Sequence, residues 1–315
     1  MRRLAAPALL LALACDTGFD PQYRVRDLRI LGVRAQVVGS TSADASAADT
    51  LQLEALVANP LRRTGLAVRW FVCAPSGPAV LPCLEPELLK DPDRLAAQPG
   101  VFELPPGAGT GERPPEIALG SLPPEARQAL DAALQAARDL ATGTPTYLCR
   151  MYVEVPVVAV ASAEGLTQVA VKRVRVVPPP PYEEPFDAYL PNRNPVAEDV
   201  RRAPTNPDGC LGGASLVPAG FPAGRTVLCG VGDAPGSFTV CGPGGPQATA
   251  YEQQSWQWFT DHGTFPEFDD GVGNATGKHV DFDRPAGAFT LWVILRDGRG
   301  GESWWSAQVE AAPAP

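Results

Sequence analysis

The chain has 315 residues, and its 35 Pro and 31 Gly make up about a fifth of it, well above average usage. At 45% hydrophobic with six Trp it is too apolar for a disordered chain, and that much Pro and Gly excludes a helical bundle or coiled coil. A net charge of −9 repels phosphate, so nucleic acid is not an expected partner, and the length allows one large domain or two ordinary ones.

Arg2 and Arg3 form a short positive head, and Leu4 to Ala14 is an unbroken run of Leu, Ala and one Pro. A spanning helix needs about 20 residues, so this shorter run reads as a cleavable export signal over 1–14. It ends Leu11-Ala12-Leu13-Ala14-Cys15, which resembles the bacterial lipobox. The resemblance implies a diacylglycerol on the Cys15 thiol, cleavage just before it, and attachment to the lipid bilayer through acylated Cys15. Two or three chains anchor stably where one does not. Residues 15–24 are then a tether, and the protein is exported and held at the cell envelope. Asp16 leaves inner against outer membrane open, and a plain signal peptide that contains a Cys is the alternative.

The first strand is expected over Val25 to Ala35, where Leu28 and Ile30 alternate with Arg. Leu51 to Ala58 has the period of a half-buried strand and is stopped by Asn59-Pro60. Leu66 to Cys73 follows, with Val68, Trp70 and Val72 on one face. Short strands are expected at Val101–Leu104 and Glu116–Leu119. Pro123 to Leu140 is an expected helix with Ser121 as its N-cap and a stripe of Leu130, Leu134, Ala137 and Leu140. Tyr147–Val160 and Leu166–Val177 then form a hairpin about Ala163-Glu164-Gly165.

Residues 178–194, opening on four prolines, read as a stiff spacer between domains. Beyond it, strands are expected over Arg225–Gly232, Tyr251–Thr260 with Trp256 and Trp258 on one face, Lys278–Phe282, Phe289–Leu295 and Ser303–Val309. Asp297-Gly298-Arg299-Gly300-Gly301 is a tight turn before the last strand.

The halves match each other, with Arg69-Trp70-Phe71 laid on Gln257-Trp258-Phe259. About seven short strands around one Trp is the pattern of an immunoglobulin-like sandwich. Asn194-Pro195-Val196, Gly263-Thr264-Phe265 and Leu291-Trp292-Val293 running to Gly301 make the second half resemble bacterial Ig-like and PKD-type domains, with an atypical insertion around Cys210 to Gln247. Tyr147-Leu148-Cys149 resembles the tyrosine corner of such folds. The expected fold is mainly β, with two Ig-like β-sandwich domains. One spans 25–177 with a helical insertion at 84–145, and the other spans 195–311.

Setting Cys15 aside leaves Cys73, Cys83, Cys149, Cys210, Cys229 and Cys241, an even number that reads as disulfides in an exported chain. Two local pairs are preferred. Cys73 and Cys83 enclose a turn-rich loop, and a hairpin about Pro235 would bring Cys229 opposite Cys241. Cys149 and Cys210 then pair or stay reduced, with Cys73–Cys149 as the rival.

Chemistry is sparse. His262 and His279 are the only histidines, and no GxSxG elbow is present. No cofactor or metal is expected. Asp269, Asp270, Asp281 and Asp283 are oxygen ligands a calcium ion would use, but without EF-hand spacing they read as solvated acidic loops. Trp292, Trp304 and Trp305 are the candidate ligand contacts, because the adjacent pair must point to opposite faces of a strand. The expected function is a non-enzymatic envelope lipoprotein that presents Ig-like domains to an envelope protein or glycan. The alternatives are a carbohydrate-binding or degrading accessory protein and a secretion or envelope assembly component.

Overall fold

The computed structural model describes residues 21–75, 82–105, 115–143, 152–178, 191–203, 214–216, 223–242, 245–268 and 275–311. The first half holds β1 (Arg29–Val37), β2 (Asp44–Ser46), β3 (Thr50–Ala58), β4 (Ala67–Cys73), β5 (Val101–Glu103), β6 (Glu116–Ala118), β7 (Val153–Ala163) and β8 (Leu166–Val177). They form a sheet β1-β3-β6 and a sheet β2-β8-β7-β4-β5. All pairs are antiparallel except β2 with β8. The inward residues are those the alternation selects. Val33, Ala35, Leu51 and Leu53 of one sheet meet Trp70, Val72, Val155 and Val157 of the other.

Three helices complete this half: α1 (Pro86–Leu89), α2 (Pro92–Ala96) and α3 (Pro124–Gly143). The expected single helical insertion at 84–145 is in fact two pieces, because β5 and β6 inside it are strands of the two sheets. The α1–α2 piece covers the outer face of the larger sheet, where Leu88 and Leu95 pack on Phe71, Val158 and Val160. The α3 piece sends Leu130 and Leu134 into the main core. Ser121 does not cap α3. It lies in the one-turn 3-10 helix Leu119–Ser121, and α3 starts on Pro124, whose fixed φ suits a first turn. The turn from β7 to β8 is Glu164-Gly165, both at positive φ (47° and 79°), as a two-residue hairpin loop requires.

The second half holds β9 (Ala197–Ala203), β10 (Ala214–Ser215), β11 (Gly224–Gly232), β12 (Ser237–Gly242), β13 (Gly245–Tyr251), β14 (Ser255–Thr260), β15 (His279–Arg284), β16 (Phe289–Arg296) and β17 (Glu302–Val309). Sheet β10-β9-β11-β15 faces sheet β14-β16-β17, and β12-β13 is a separate hairpin inserted before β14. The order repeats the first half, with β9-β11-β15 standing for β1-β3-β6 and β14-β16-β17 for β4-β7-β8. Trp258 of β14 therefore occupies the place of Trp70 on β4, and both are buried. Both halves are Ig-like β-sandwiches. Among the described residues no helix is long and apolar enough to cross a membrane.

The tether expected over 15–24 ends earlier than its composition suggests. Tyr23 is fully buried in the second sandwich, edge-on to Phe265 with centroids 5.0 Å apart. Around it the chain adds a short parallel edge to β14. The Val25 amide donates to the Thr260 carbonyl (2.8 Å) and the Thr260 amide to that of Tyr23 (3.0 Å). The chain thus enters the fold through the second sandwich before building the first. Tyr23→Ala is expected to cost about 3–5 kcal/mol, as for other large buried aromatics, read as a lower urea midpoint. An unchanged midpoint would show that residues 21–25 do not belong to that core.

Candidate functional site

The two sandwiches meet through their outer faces. Because β16 alternates, Leu291, Val293 and Leu295 fill the second core, and Trp292 and Ile294 face the other way. There, with Phe259 and Val25, they pack on Leu31 of β1 and on Leu56 and Ala58 of β3, and Trp304 borders the cluster. Only 6% of Trp292 is exposed. Trp304 lies under the Arg34 guanidinium, 4.9 Å from its ring centre, and Trp305 turns to the opposite side against the second core. Trp292, Trp304 and Trp305 therefore do not form an exposed aromatic platform, because docking of the first sandwich covers the face on which two of them lie.

A polar network runs along the edge of this apolar contact. Glu302, almost fully buried, accepts from the Val33 amide (3.2 Å) and from Arg296 Nε (3.2 Å), and Lys172 Nζ lies 3.8 Å away. Arg296 also donates to Gln257 Oε1 (2.6 Å) and to the Leu31 carbonyl (3.4 Å). Burial pushes the Lys172 ammonium down from its ordinary pKa, while Glu302 and Asp297 oppose that shift. Gly32 leaves room for this carboxylate: a Cβ on it would stand 2.3 Å from Glu302 Oε1, so a side chain there would push Glu302 out of its present position.

The end of the expected spacer belongs to the same network. Asn192 and Asn194 are buried. The Asn192 amide donates to Asp44 Oδ2 (2.7 Å) and its side chain to Asp297 Oδ2 (2.8 Å). Asn194 donates from its side chain to the Ala35 carbonyl (3.0 Å) and accepts from the Glu302 amide (2.9 Å). Asp297 also takes the Arg299 and Gly301 amides, which shapes the turn between β16 and β17. Residues 191–194 are therefore held by both sandwiches; 179–190 lie outside the described residues.

A second feature is the tip of the first sandwich. Arg63, in the loop between β3 and β4, bridges Asp27 (2.7 and 2.9 Å) and Glu164 of the β7–β8 turn (3.3 Å). Thr64 donates to Glu164 from its amide and its hydroxyl, each at 2.9 Å. Arg63 holds the Asp27 carboxyl, and Thr64 then Arg63 hold the Glu164 carboxyl, below the usual carboxylate range. This bracing is thus present at neutral pH and is lost as acid protonates the two groups. It fixes Leu61 and Leu66 outward, 59% and 39% exposed, beside Arg62 at φ 51°.

The remaining sequence candidates are scattered. Cys73 and Cys83 form a disulfide with Cα atoms 6.3 Å apart, stapling the α1–α2 insert to the end of β4. Cys229 is disulfide-bonded, to a side chain outside those described. The hairpin expected to set it opposite Cys241 is not formed. Both edges of β11 are taken by β9 and β15, and β12 pairs with β13. Cys15, Cys149, Cys210, Asp269, Asp270 and the Cys241 side chain lie outside the described residues, as does the Tyr147-Leu148-Cys149 corner. Asp281 is ion-paired with Arg225, and Asp283 exchanges backbone hydrogen bonds with Thr264. His262 is exposed 3.3 Å from Asp261, and His279 is exposed on β15.

No protein-family profile matches the chain, and no curated protein matches it. Three solved structures overlap most of it at low similarity. They are the FN1–FN3 domains of chicken CNTN1 (TM-score 0.25, 7% identity, 93% of this chain and 66% of that one), a bacterial ice-binding adhesin (0.22, 10%, 91% and 64%) and three N-terminal domains of the bacteriophage RB49 outer capsid protein Hoc (0.18, 10%, 89% and 59%). The chain spans less than two thirds of the length of each. Likeness at this level carries no argument, so the Ig-like assignment rests on strand order and on the paired Trp residues.

Glu302→Ala would leave Lys172 and Arg296 without their buried counter-charge, at an expected cost of about 3–5 kcal/mol in urea unfolding. Trp292→Ala should lower stability by about the same amount, which a surface ligand platform would not do.

Proposed function

We propose that this chain is an exported lipoprotein, anchored through acylated Cys15, whose paired sandwiches form a non-enzymatic module for protein contact at the cell envelope. The observation that carries the reading is where the N-terminal segment goes. Tyr23 is buried in the core of the second sandwich and only six residue steps separate Cys15 from Pro21, so an anchor at Cys15 would join a folded body without a long stalk. Six residues of extended chain reach about 20 Å, which keeps the body close to the bilayer. The Cys73–Cys83 disulfide suits an oxidising compartment. Docking of the two sandwiches gives partners one fixed surface instead of two swinging domains. Protein contact is favoured over glycan contact because Trp292 is covered and Trp305 turns away from it.

The test is processing in a cell that makes lipoproteins. The expected result is a diacylglycerol mass on Cys15, accumulation of precursor under globomycin, and loss of both lipid and membrane fractionation in Cys15→Ala. A protein processed normally under globomycin and recovered soluble would overturn the anchor.

A further inference from the structure

The braced tip of the first sandwich and the N-terminal segment lie at the same end of the molecule. Arg29 Nη1 donates to the Gln22 carbonyl (2.6 Å), Arg29 pairs with Ala58 at the end of β3, and Arg63 holds Asp27. The loop bearing Leu61 and Leu66 therefore adjoins residues 21–27, where the described chain begins. Arg24 reaches the Gly263 carbonyl from the same side (3.0 Å), which adds the turn after β14.

The chemistry of this end differs from the rest of the chain. Arg24, Arg26, Arg29, Arg62 and Arg63 belong to the segments that meet there, against Asp27, Asp261, Glu164 and the Asp16 and Asp20 of the preceding stretch, which makes this end close to neutral on a protein of net charge −9. Arg26 and Arg62 are exposed, as are Leu61 and Leu66. Two outward leucines on a loop held at positive φ, flanked by guanidinium groups, are not explained by the packing of either sandwich. Such a braced apolar tip is already shaped for contact, because the ion pairs of Arg63 with Asp27 and Glu164 hold it before any partner arrives.

We infer that this tip rests on the lipid surface, with Leu61 and Leu66 entering the headgroup layer and Arg26 and Arg62 meeting anionic headgroups. Two arguments select a bilayer as the occupant. The stretch from Cys15 to Pro21 spans about 20 Å at most, so an acylated Cys15 holds this end against the membrane. This end is also less repelled by anionic lipid than the rest of the acidic chain, because its arginines balance its carboxylates and two of them, Arg26 and Arg62, are exposed. The inference deepens the anchor reading and rests on it for orientation. The contact would hold the sandwich pair at one angle to the bilayer and leave the opposite end, with the β12–β13 hairpin, for partners.

The test uses the chain from Asp16 onward, secreted behind an ordinary signal peptide, which keeps every described residue and carries no lipid. It is sedimented with vesicles of phosphatidylcholine alone and with 30% phosphatidylglycerol, a composition chosen as roughly that of an anionic membrane. Binding to the anionic vesicles is expected, weakened by salt and lowered about ten-fold by Arg62→Glu or by Leu61→Asp with Leu66→Asp. Tyr251→Asp, on the exposed hairpin, should bind as the parent does. Thermal unfolding of each variant should match the parent, since these side chains are exposed. Absence of vesicle binding, or binding indifferent to the tip variants, overturns the inference and turns the tip toward a protein partner. A lipid mass on Cys15 with such indifference removes the tip contact and keeps the anchor. Tip-dependent binding with an unmodified Cys15 does the reverse.

Discussion

Glu302 is the group on which the arrangement of the molecule depends. A carboxylate buried between two domains is costly unless its oxygens are satisfied, and here the partners come from both sides. The Val33 amide and Lys172 belong to the first sandwich, and Arg296 to the second. If the sandwiches slid by one residue, the Val33 amide and Lys172 would lose Glu302 and Arg296 would lose the Leu31 carbonyl. The network therefore fixes the register of two sheet faces that apolar contact alone would leave free to shift. Asn192 and Asn194 extend the constraint to the chain that joins the halves.

The apolar part of the interface explains why several strands are buried on both faces. In β16, Leu291 to Leu295 are buried without a break, although the odd and even residues serve different cores. In β7, Val155 to Ala161 are buried for the corresponding reason, with the main core on one face and α1–α2 on the other. Each sandwich uses the outside of its β4–β7 or β14–β16 sheet to bind something: the first takes its own helical insert, and the second takes the first sandwich. The same architecture, repeated, thus becomes one body with two different ends.

Much of the fold was legible from periodicity. β3, β4, β8, β16 and β17 begin and end close to where alternation and turn residues place them, and Trp70 and Trp258 hold the equivalent positions that their flanking residues suggested. What failed did so for identifiable reasons. Ser121 reads as a helix cap, but the one-turn helix before α3 takes that residue and leaves the start to proline. The hairpin about Pro235 does not form between β11 and β12, because β11 is a central strand with both edges filled. Trp292 looks like a surface residue because its strand alternates, and alternation shows which residues share a face without showing what covers it. Tyr23 lies in a stretch whose composition is that of a tether. The braced tip around Arg63 escaped notice because Asp27, Arg63 and Glu164 are far apart in the chain.

The sequence by itself determined the local terms. It set the two sandwiches, the strand positions, the enclosed Cys73–Cys83 pair, and the apolar run that ends at Cys15. These follow from spacing over a few residues, where side-chain direction and turn chemistry act directly. Only the tertiary structure decided which outer faces meet, that Tyr23 belongs to the second core, and that Asn192, Asn194 and Glu302 clamp the halves together. Those outcomes depend on contacts between residues more than a hundred positions apart, and a one-dimensional pattern holds no record of which buried surfaces will find each other.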